Sequence, residues 1–574
     1  MIRIVTVQEM QAIETAADAA GVSYGQMMEN AGRAIADRVK QIIEELEIAD
    51  ARVAVLVGPG NNGGDGLVTA RLIAGETNAS VQIFLTRPRD DENLTKAKAA
   101  HTLIIDAETD AQRGYRVLRT MVANADVVID ALLGTGTTLP IRGEVETVLR
   151  QVHQALSDRE ADRPAPRLVS PSRPAVRRRS GPVIVAVDVP TGLDSDTGAL
   201  DDNTLTAHET ITFEAAKPGL VTPGAADAIG VLHVAALGLP DRLPARDDVR
   251  RTLIDAAVVR RRLPKRPASA NKGTFGKALI VAGSANYTGA PALAGQSAYA
   301  VGTGLVSIAA PSTIIPIVGV QQLETTYLLL PHDLGALNAE AASIVRSEMK
   351  NYSTLLVGPG LGQDEVTGAF IEALFGKAGA RGGRKIGFVP SSEEVTQASA
   401  DEWLPPLVVD ADGLNLLAKM ESWWTLLPPR TILTPHPGEM ARLAKIEAEG
   451  DRKPTEVVIA NRLTLAADKA AAWKCVVVLK SAFTVIADPD GRLAVVPFAT
   501  PALARAGTGD VLAGAITGLL AQGLDPFDAA VAAAYLHGYA GELAAEAVGT
   551  TASIVASDVI AALPRAIATV EASV

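Results

Sequence analysis

From Arg52 onward, short apolar runs alternate with longer amphipathic stretches. The order is RVAVLV, a glycine turn, GDGLVTARLIAG, VQIFL, a helical stretch, DVVID, the loop ALLGTGTTLPIRG, a second helical stretch and PVIVAVDVP. Brief runs that are apolar throughout and separated by helix-length segments predict parallel strands buried on both faces and joined by crossover helices. This half therefore predicts a Rossmann-like α/β domain of three layers. Ahead of it, Val7 to Ile43 predicts one helix, with Met10, Ile13, Ala17 and Ala20 at helical spacing. A second α/β series follows Asn271: KALIVAG, LVSIAA, TTYLLL, STLLVGPG, PLVVDADGLNLL, TILTPHPGE, CVVVLKSAFTVIA and a helical end from Gly509. Motif order differs between the two series, so the shared LVGPG (Leu56–Gly60 and Leu356–Gly360) does not mark a duplication.

Length and composition narrow the picture. A chain of 574 residues exceeds what one core usually organises, so two domains are expected. Between the two series Pro and Arg become dense (Leu239 to Asn271), which sets a first domain at 1–240, a linker region at 241–270 and a second domain counted over 251–574. Asp158 to Pro182, with seven Arg and five Pro, predicts a disordered surface insertion. Gly376 to Asp401 predicts an inserted loop. The net charge of -12 argues against nucleic acid as a partner. Cys475 stands alone in the apolar run CVVVL, so neither a disulfide framework nor a thiolate metal site is expected. The amino terminus carries charges throughout and lacks a signal-peptide core, which predicts a cytoplasmic protein. Ala278 to Leu323 has no charged residue or His across 46 positions. Its frequent Gly, Pro, Ser, Asn and Gln fit buried elements around a ligand better than a membrane span.

The candidate chemistry gathers at glycine turns. Gly58, Gly60 and Gly63 match G-x-G-x-x-G between a strand and a helix. The acidic residue that a dinucleotide site places after the second strand is replaced by Thr86, Arg87 and Arg89. More distinctive is the run Asn61, Asn62, Gly63, Gly64, Asp65. Amides and a carboxylate at a glycine-opened helix start can offer N–H groups to phosphate and oxygens to a cation, although an Asn-rich turn capped by Asp65 would also explain it. Asp130 ends DVVID, and Asp188 and Thr191 follow the strand IVAV. Strand carboxyl ends share one crevice in a parallel sheet, so Asn62, Asp130, Asp188 and Thr191 are expected to meet there.

NNGGDG, D-A-x-x-G-x-G and D-V-P-[ST]-G-x-D in this order resemble the NAD(P)H-hydrate epimerase domain over roughly Met1 to Leu237. The resemblance implies a potassium ion among Asn62, Asp130 and Thr191. It places the hydrated dinucleotide against Asn61, Asn62, Gly63, Gly64 and Asp65, against Gly134, Thr135, Gly136, Thr137, Thr138, Leu139 and Pro140, and against Asp188. Thr191 stands where the family commonly has Ser. Asp188 is the acid/base candidate.

In the second series, ARAGTGDVLAG opens a helix with Gly507, Gly509 and Asp510. Consecutive N–H groups at a helix start can hold a transferring anionic group while an adjacent carboxylate takes a proton, which suits phosphoryl transfer to a hydroxyl. No G-x-x-x-x-G-K-[ST] is present, so the nucleotide phosphates need another seat, and Lys480 to Thr484 (KSAFT) after CVVVL offers one. A lone turn lysine is ordinarily solvated. His436 lies between two prolines, and Asp410 and Asn415 follow the strand PLVV.

N-K-G-x-F-G, V-G-P-G-L-G, D-A-D-x-L-N, T-P-H-P-G-E, K-x-x-x-T and A-G-T-G-D together resemble the ribokinase-like NAD(P)H-hydrate dehydratases over about Arg251 to Val574. The resemblance implies the hydrated dinucleotide at Ala290, Gly362 and His436, and ADP at Lys480, Ser481, Ala482, Phe483, Thr484 and Gly509. Asp510 would touch substrate and act as base, and Mg2+ would screen the nucleotide. Asn271 and Ser481 depart from the family's usual His and Gly. Both halves thus resemble the bifunctional NAD(P)H-hydrate repair enzymes. These are expected to epimerise the R and S hydrates NADHX and NADPHX and to dehydrate the S form with ADP, giving AMP and phosphate. A homo-oligomer is expected. The rival readings are a vitamin-precursor kinase fused to a ligand-binding module, or a non-catalytic scaffold as the first domain.

Overall fold

A computed structural model of the chain describes residues 1–162, 181–376 and 405–573. They form two compact units, Ile2–Arg251 and Thr252–Val574. Most of the Arg/Pro segment and nearly all of the Gly376–Asp401 loop lie outside the described residues. The start of the former corrects one expectation: Asp158 to Ala161 are the last turn of the helix Glu144–Ala161.

The first unit is built on seven parallel strands: β1 (Arg52–Val57), β2 (Ser80–Leu85), β3 (Leu103–Asp106), β4 (Val127–Ala131), β5 (Val183–Val187), β6 (Glu209–Phe213) and β7 (Val231–Ala235), in the order β3-β2-β1-β4-β5-β6-β7. Both faces are covered, which is why the strands read as continuous apolar runs. Val53, Val55 and Val57 pack with Ile35, Val39 and Ile73 on one side. Ala54 and Leu56 pack with Leu118, Met121 and Leu149 on the other. Leu56 pairs with Asp130 and Asp130 with Ala186, so the turns after β1, β4 and β5 open side by side.

The single helix expected over Val7–Ile43 is two, Val7–Ala19 and Tyr24–Glu45. Gly21 takes a left-handed φ of +100°, and the Ser23 hydroxyl caps the second helix by accepting from the Gln26 N–H. The apolar spacing continued through a break that only Gly and a capping residue signalled. The helix after β1 begins at Asn61, three residues before the GDGLVTARLIAG stretch.

The second unit carries β8 (Lys277–Val281), β9 (Leu305–Pro311), β10 (Thr326–Leu330), β11 (Thr354–Val357), β12 (Leu407–Val409), β13 (Thr431–Leu433), β14 (Val476–Leu479), β15 (Val485–Ala487) and β16 (Leu493–Val495). Their order is β10-β9-β8-β11-β12-β13-β14-β15-β16. All pairs are parallel except β14-β15 and β15-β16. Leu479 pairs with Val485, which makes Lys480–Thr484 the turn of a β-hairpin. The helices Thr508–Ala521 and Pro526–Val548 cover one face against Ile280, Ile308, Leu356 and Val408. The stretch expected as linker contains the short helices Pro244–Asp247 and Ala256–Arg260 and the strand Arg251–Leu253. Among the described residues no helix is long and apolar enough to cross a membrane.

Candidate active sites

The two LVGPG turns share one cause. A Cβ on Gly58 would lie 1.7 Å from the Leu132 carbonyl oxygen, and one on Gly358 would lie 1.8 Å from the Asp410 carbonyl oxygen. In each case a neighbouring strand's end occupies the space that a side chain would need. Beyond this point the turns diverge.

After β1, Asn61 to Asp65 form the first turn of the helix Asn61–Glu76, whose start has no side-chain cap. Asn62 Nδ2 donates to the Leu133 carbonyl at 3.0 Å, and a Cβ on Gly134 would stand 3.3 Å from Asn62 Oδ1. Asp130 is fully buried. Its Oδ1 accepts from the Thr191 hydroxyl at 2.7 Å and its Oδ2 from the Thr191 N–H at 2.8 Å. The Leu133 N–H donates to Thr191 Oγ1 at 3.1 Å. Asn62, Asp130 and Thr191 therefore meet around Leu133 as expected. Burial pushes the Asp130 carboxyl up, against the pull of the Thr191 and Leu132 hydrogen bonds, and no cationic side chain pairs with it among the described residues. A dry carboxylate, a hydroxyl, an amide oxygen and a backbone carbonyl form a donor set of oxygens, the kind that a hard cation takes. Gly134–Pro140 follows as a loop, with Thr137 Oγ1 donating to the Gly134 carbonyl at 2.7 Å.

Asp188 belongs to a different set. Its φ is +64°, and its Oδ1 accepts from Thr212 Oγ1, on β6, at 2.8 Å and from Lys217 Nζ at 2.5 Å. Lys217 is only 1% exposed, and its Nζ also donates to Thr212 Oγ1 at 2.8 Å. Asp65 is held well above the usual carboxylate range by burial and by the charges of Asp188 and Glu14, with Lys217 opposing. Burial likewise raises Glu14. Sequence reasoning missed Lys217, Thr212 and Glu14. The signal available was a lysine inside an otherwise apolar run, AAKPGLV. Arg89, noted in the sequence only as standing where an acid was expected, has a role that was not foreseen: its Nη1 donates to the Gly58 and Gly60 carbonyls at 2.7 and 3.0 Å, fixing the glycine turn.

In the second unit, Val357 pairs with Val409 and Val409 with Leu433, so the ends of β11, β12 and β13 lie together, with β14 next to β13. Lys480 is half-buried and ion-paired rather than free in solvent: its Nζ donates to Asp410 Oδ1 at 2.6 Å and lies 3.9 Å from Glu439 Oε2. Thr434 Oγ1 donates to the same Asp410 oxygen at 2.7 Å. Burial opposes the Lys480 charge, but Asp410, Glu439 and Asp510 outweigh it and raise its pKa. Glu439 is pushed up to about 7, by burial first and by Asp410, against Lys480. Asp510, in the first turn of Thr508–Ala521, is also pushed up to about 7 by burial and by Asp410, with Lys480 opposing. A Cβ on Gly509 would stand 3.6 Å from Lys480 Nζ, which brings the AGTGD helix start beside the hairpin turn.

His436 caps the helix Pro437–Ala444, its Nδ1 accepting from the Gly438 N–H at 3.0 Å. That bond requires an unprotonated Nδ1, in keeping with a pKa lowered by burial and by Lys480 and Arg442. The Gly362 N–H donates to Asp412 Oδ2 at 2.9 Å, and Ala290 packs against Gly360. Asn415 Oδ1 accepts from Arg442 Nε at 2.8 Å. The 480–484 turn is closed by Thr484 Oγ1 donating to the Ser481 carbonyl at 3.0 Å. Glu439, Thr434 and Asp412 were not singled out in sequence, because each acts through neighbours that only the sheet brings close.

Known proteins match both units. The family model for NAD(P)H-hydrate dehydratase covers residues 278–565, and that for the YjeF-related protein N-terminus covers residues 24–219. The bifunctional NAD(P)H-hydrate repair enzyme Nnr of Moorella thermoacetica is 34% identical over 557 residues, 96% of this chain and 93% of that protein. The Escherichia coli K12 protein of the same name is 31% identical, over 96% of this chain and 91% of its own length. A solved ADP/ATP-dependent NAD(P)H-hydrate dehydratase from Bacillus subtilis, co-crystallised with ATP and Mg2+, is 31% identical and covers 55% of this chain and 98% of that one, with a TM-score of 0.43. Similar to such relatives along nearly its whole length, this chain belongs to the bifunctional NAD(P)H-hydrate repair enzyme family.

Proposed function

We propose that the chain restores hydrated NAD(P)H in two steps, epimerising R and S hydrates in the first unit and dehydrating the S form with ADP in the second. The observation that carries this is the presence, in one chain of this family, of two differently built acid/base sets: Asp188 paired with buried Lys217, and Asp510 poised near neutrality beside Lys480. In the first site, the substrate's hydroxyl sits on a carbon next to the ring nitrogen. It departs with a proton and water returns to the other face. Asp65, whose carboxyl is pushed up by burial and by its acidic neighbours, is the acid, and Asp188 is the base; environment separates the roles of the two carboxylates. Asn62, Asp130, Thr191 and the Leu133 carbonyl would hold K+, which supplies fixed positive charge beside the phosphate-binding turn at Asn61–Asp65.

In the second site, Asp510 takes the proton of the S hydroxyl, and a pKa near 7 suits that task at neutral pH. The Lys480–Thr484 turn and Gly509 seat ADP, with Ala290, Gly362 and His436 along the dinucleotide. The hydroxyl oxygen attacks the terminal phosphoryl group and AMP leaves. Phosphate then departs from carbon, the ring nitrogen supplies its electron pair, and loss of a neighbouring proton restores the double bond. Mg2+ supplies charge neutralisation on the nucleotide phosphates. Exposed Ile317, Val320, Leu323 and Leu329, on and near the edge strand β10, support a homo-oligomer, which light scattering on the purified protein would test. For the two sites, Asp510→Asn is expected to stop AMP formation while epimerisation continues, and Asp188→Asn to do the reverse. Equal loss of both activities in either variant would sink the two-site assignment.

A further inference from the structure

Arg462 opens the helix Arg462–Trp473 and is 2% exposed. Three costs converge on it. A guanidinium removed from water ordinarily takes a carboxylate partner, as Arg38 does with Glu209, Arg246 with Glu214 and Arg262 with Asp528. Arg462 has none among the described residues. It stands at the amino end of its helix, where the backbone dipole disfavours a cation. Its Nη2 is buried without a hydrogen-bond partner among the described residues.

The side-chain hydrogen bonds that it makes among the described residues fall on one place. Nη1 donates to the Phe483 carbonyl at 2.6 Å and reaches the Ala482 carbonyl at 3.5 Å, and both belong to the hairpin turn after β14. Phe483 has a left-handed φ of +53°, a conformation that a bulky side chain adopts only when its surroundings hold it there. Arg462 on its carbonyl and the Phe498 carbonyl on its N–H, at 2.8 Å, are the holding contacts.

We infer that Arg462 is a positioning residue of the nucleotide site, drawing the Ala482 and Phe483 carbonyls back from the turn and keeping a buried positive charge for a nucleoside diphosphate to balance. The inference rests on the placement of ADP at Lys480–Thr484. With the carbonyl dipoles turned inward, the diphosphate meets Lys480 and the turn's outer face rather than carbonyl oxygens. The charge left uncompensated in the protein alone is satisfied on binding.

The test uses the full chain and compares Arg462→Met, Arg462→Gln and Lys480→Met. Calorimetry gives the melting temperature without nucleotide and titration gives Kd for ADP and for adenosine, with the epimerase rate as an internal control. Arg462→Met is expected to melt no lower than the parent, since replacing a buried unpaired charge by an apolar chain removes a cost. It is expected to bind ADP roughly tenfold more weakly, the scale of one charge-assisted contact, with adenosine and epimerisation unchanged. Arg462→Gln keeps a donor for the Phe483 carbonyl without the charge, carries the same expectation for ADP, and decides the matter should the Met variant fail to fold. A merely structural arginine would show the opposite pattern: a lower melting temperature and equal weakening for ADP and adenosine. Unchanged ADP binding in the Arg462 variants alongside weakened binding in Lys480→Met would overturn the role of Arg462 alone. Unchanged binding in all three would show that the turn is not the nucleotide site, and both readings would fall.

Discussion

Replacing Asp188 by Asn tests the buried pair on which the first site depends. Asn is the informative change because it tolerates the left-handed φ of +64°, whereas other residues would add backbone strain. What remains is an ammonium on Lys217, 1% exposed, with the Thr212 hydroxyl at 2.8 Å and the Phe213 carbonyl at 3.5 Å as its acceptors among the described residues besides the new amide. Removing one partner of a buried ion pair costs roughly 3–5 kcal/mol. The carboxyls of Glu14 and Asp65 lie close enough to feel Lys217, which places the expected loss at the lower end, about 3 kcal/mol. For a unit of this size 1 kcal/mol moves the melting temperature by about 2–4 °C, so the first unit is expected to melt roughly 6–12 °C lower. Lys217→Met is expected to cost less, about 1–2 kcal/mol, because the Asp188 carboxylate retains some access to water. The double variant Asp188→Asn/Lys217→Met should recover most of the lost stability without recovering epimerisation. Calorimetry of the full chain reads all three, with the second unit's transition as the unmoved reference. A shift of under about 2 °C in Asp188→Asn would refute the description of this pair as a buried charge pair.

The dehydration rate is expected to rise with pH through about 7, as Asp510 loses its proton. Stability moves the other way: a carboxyl whose folded pKa lies above its unfolded value holds an extra proton in the folded state between about pH 4 and 7, so its contribution declines across that window. Comparing Asp510→Asn with the parent by urea unfolding isolates this slope, because His537, held neutral down to about pH 4 by burial, contributes equally to both. Asp130→Asn is expected to abolish any acceleration of epimerisation by K+ over choline, measured by epimer ratio, while ADP consumption persists; retained K+ dependence would place the ion elsewhere. Gly58→Ala and Gly358→Ala each force a Cβ to within 2 Å of a backbone oxygen, and each should cost about 3 kcal/mol or more in its own unit, readable as loss of one calorimetric transition with the other intact.

The strands and the two glycine turns were legible because each is a local pattern: an apolar run, then residues that only a tight approach requires. Gly58 and Gly358 are fixed by one neighbouring oxygen each, and LVGPG announced both. Asn62, Asp130 and Thr191 were also legible, since strand ends in a parallel sheet share a crevice. Pairing across the sheet was not. Lys217 has no visible partner until β5 and β6 are placed side by side, and Glu439 has none until Lys480 arrives from β14. Lys480–Thr484 reads only as a turn after a strand, and the antiparallel return of β15 makes it the turn of a hairpin. The break between Val7–Ala19 and Tyr24–Glu45 was hidden because the apolar period ran on across it, and only Gly21 and Ser23 marked the interruption.

The most direct test of the whole account is to incubate the protein with a mixture of R and S NADHX and ADP in K+ and Mg2+, following dihydronicotinamide absorbance, both epimers and AMP together. The account predicts that both epimers are consumed, R faster than it isomerises unaided, with NADH, AMP and phosphate formed in equal amounts. Consumption of S alone, or accumulation of a phosphorylated hydrate without recovery of NADH, would contradict it.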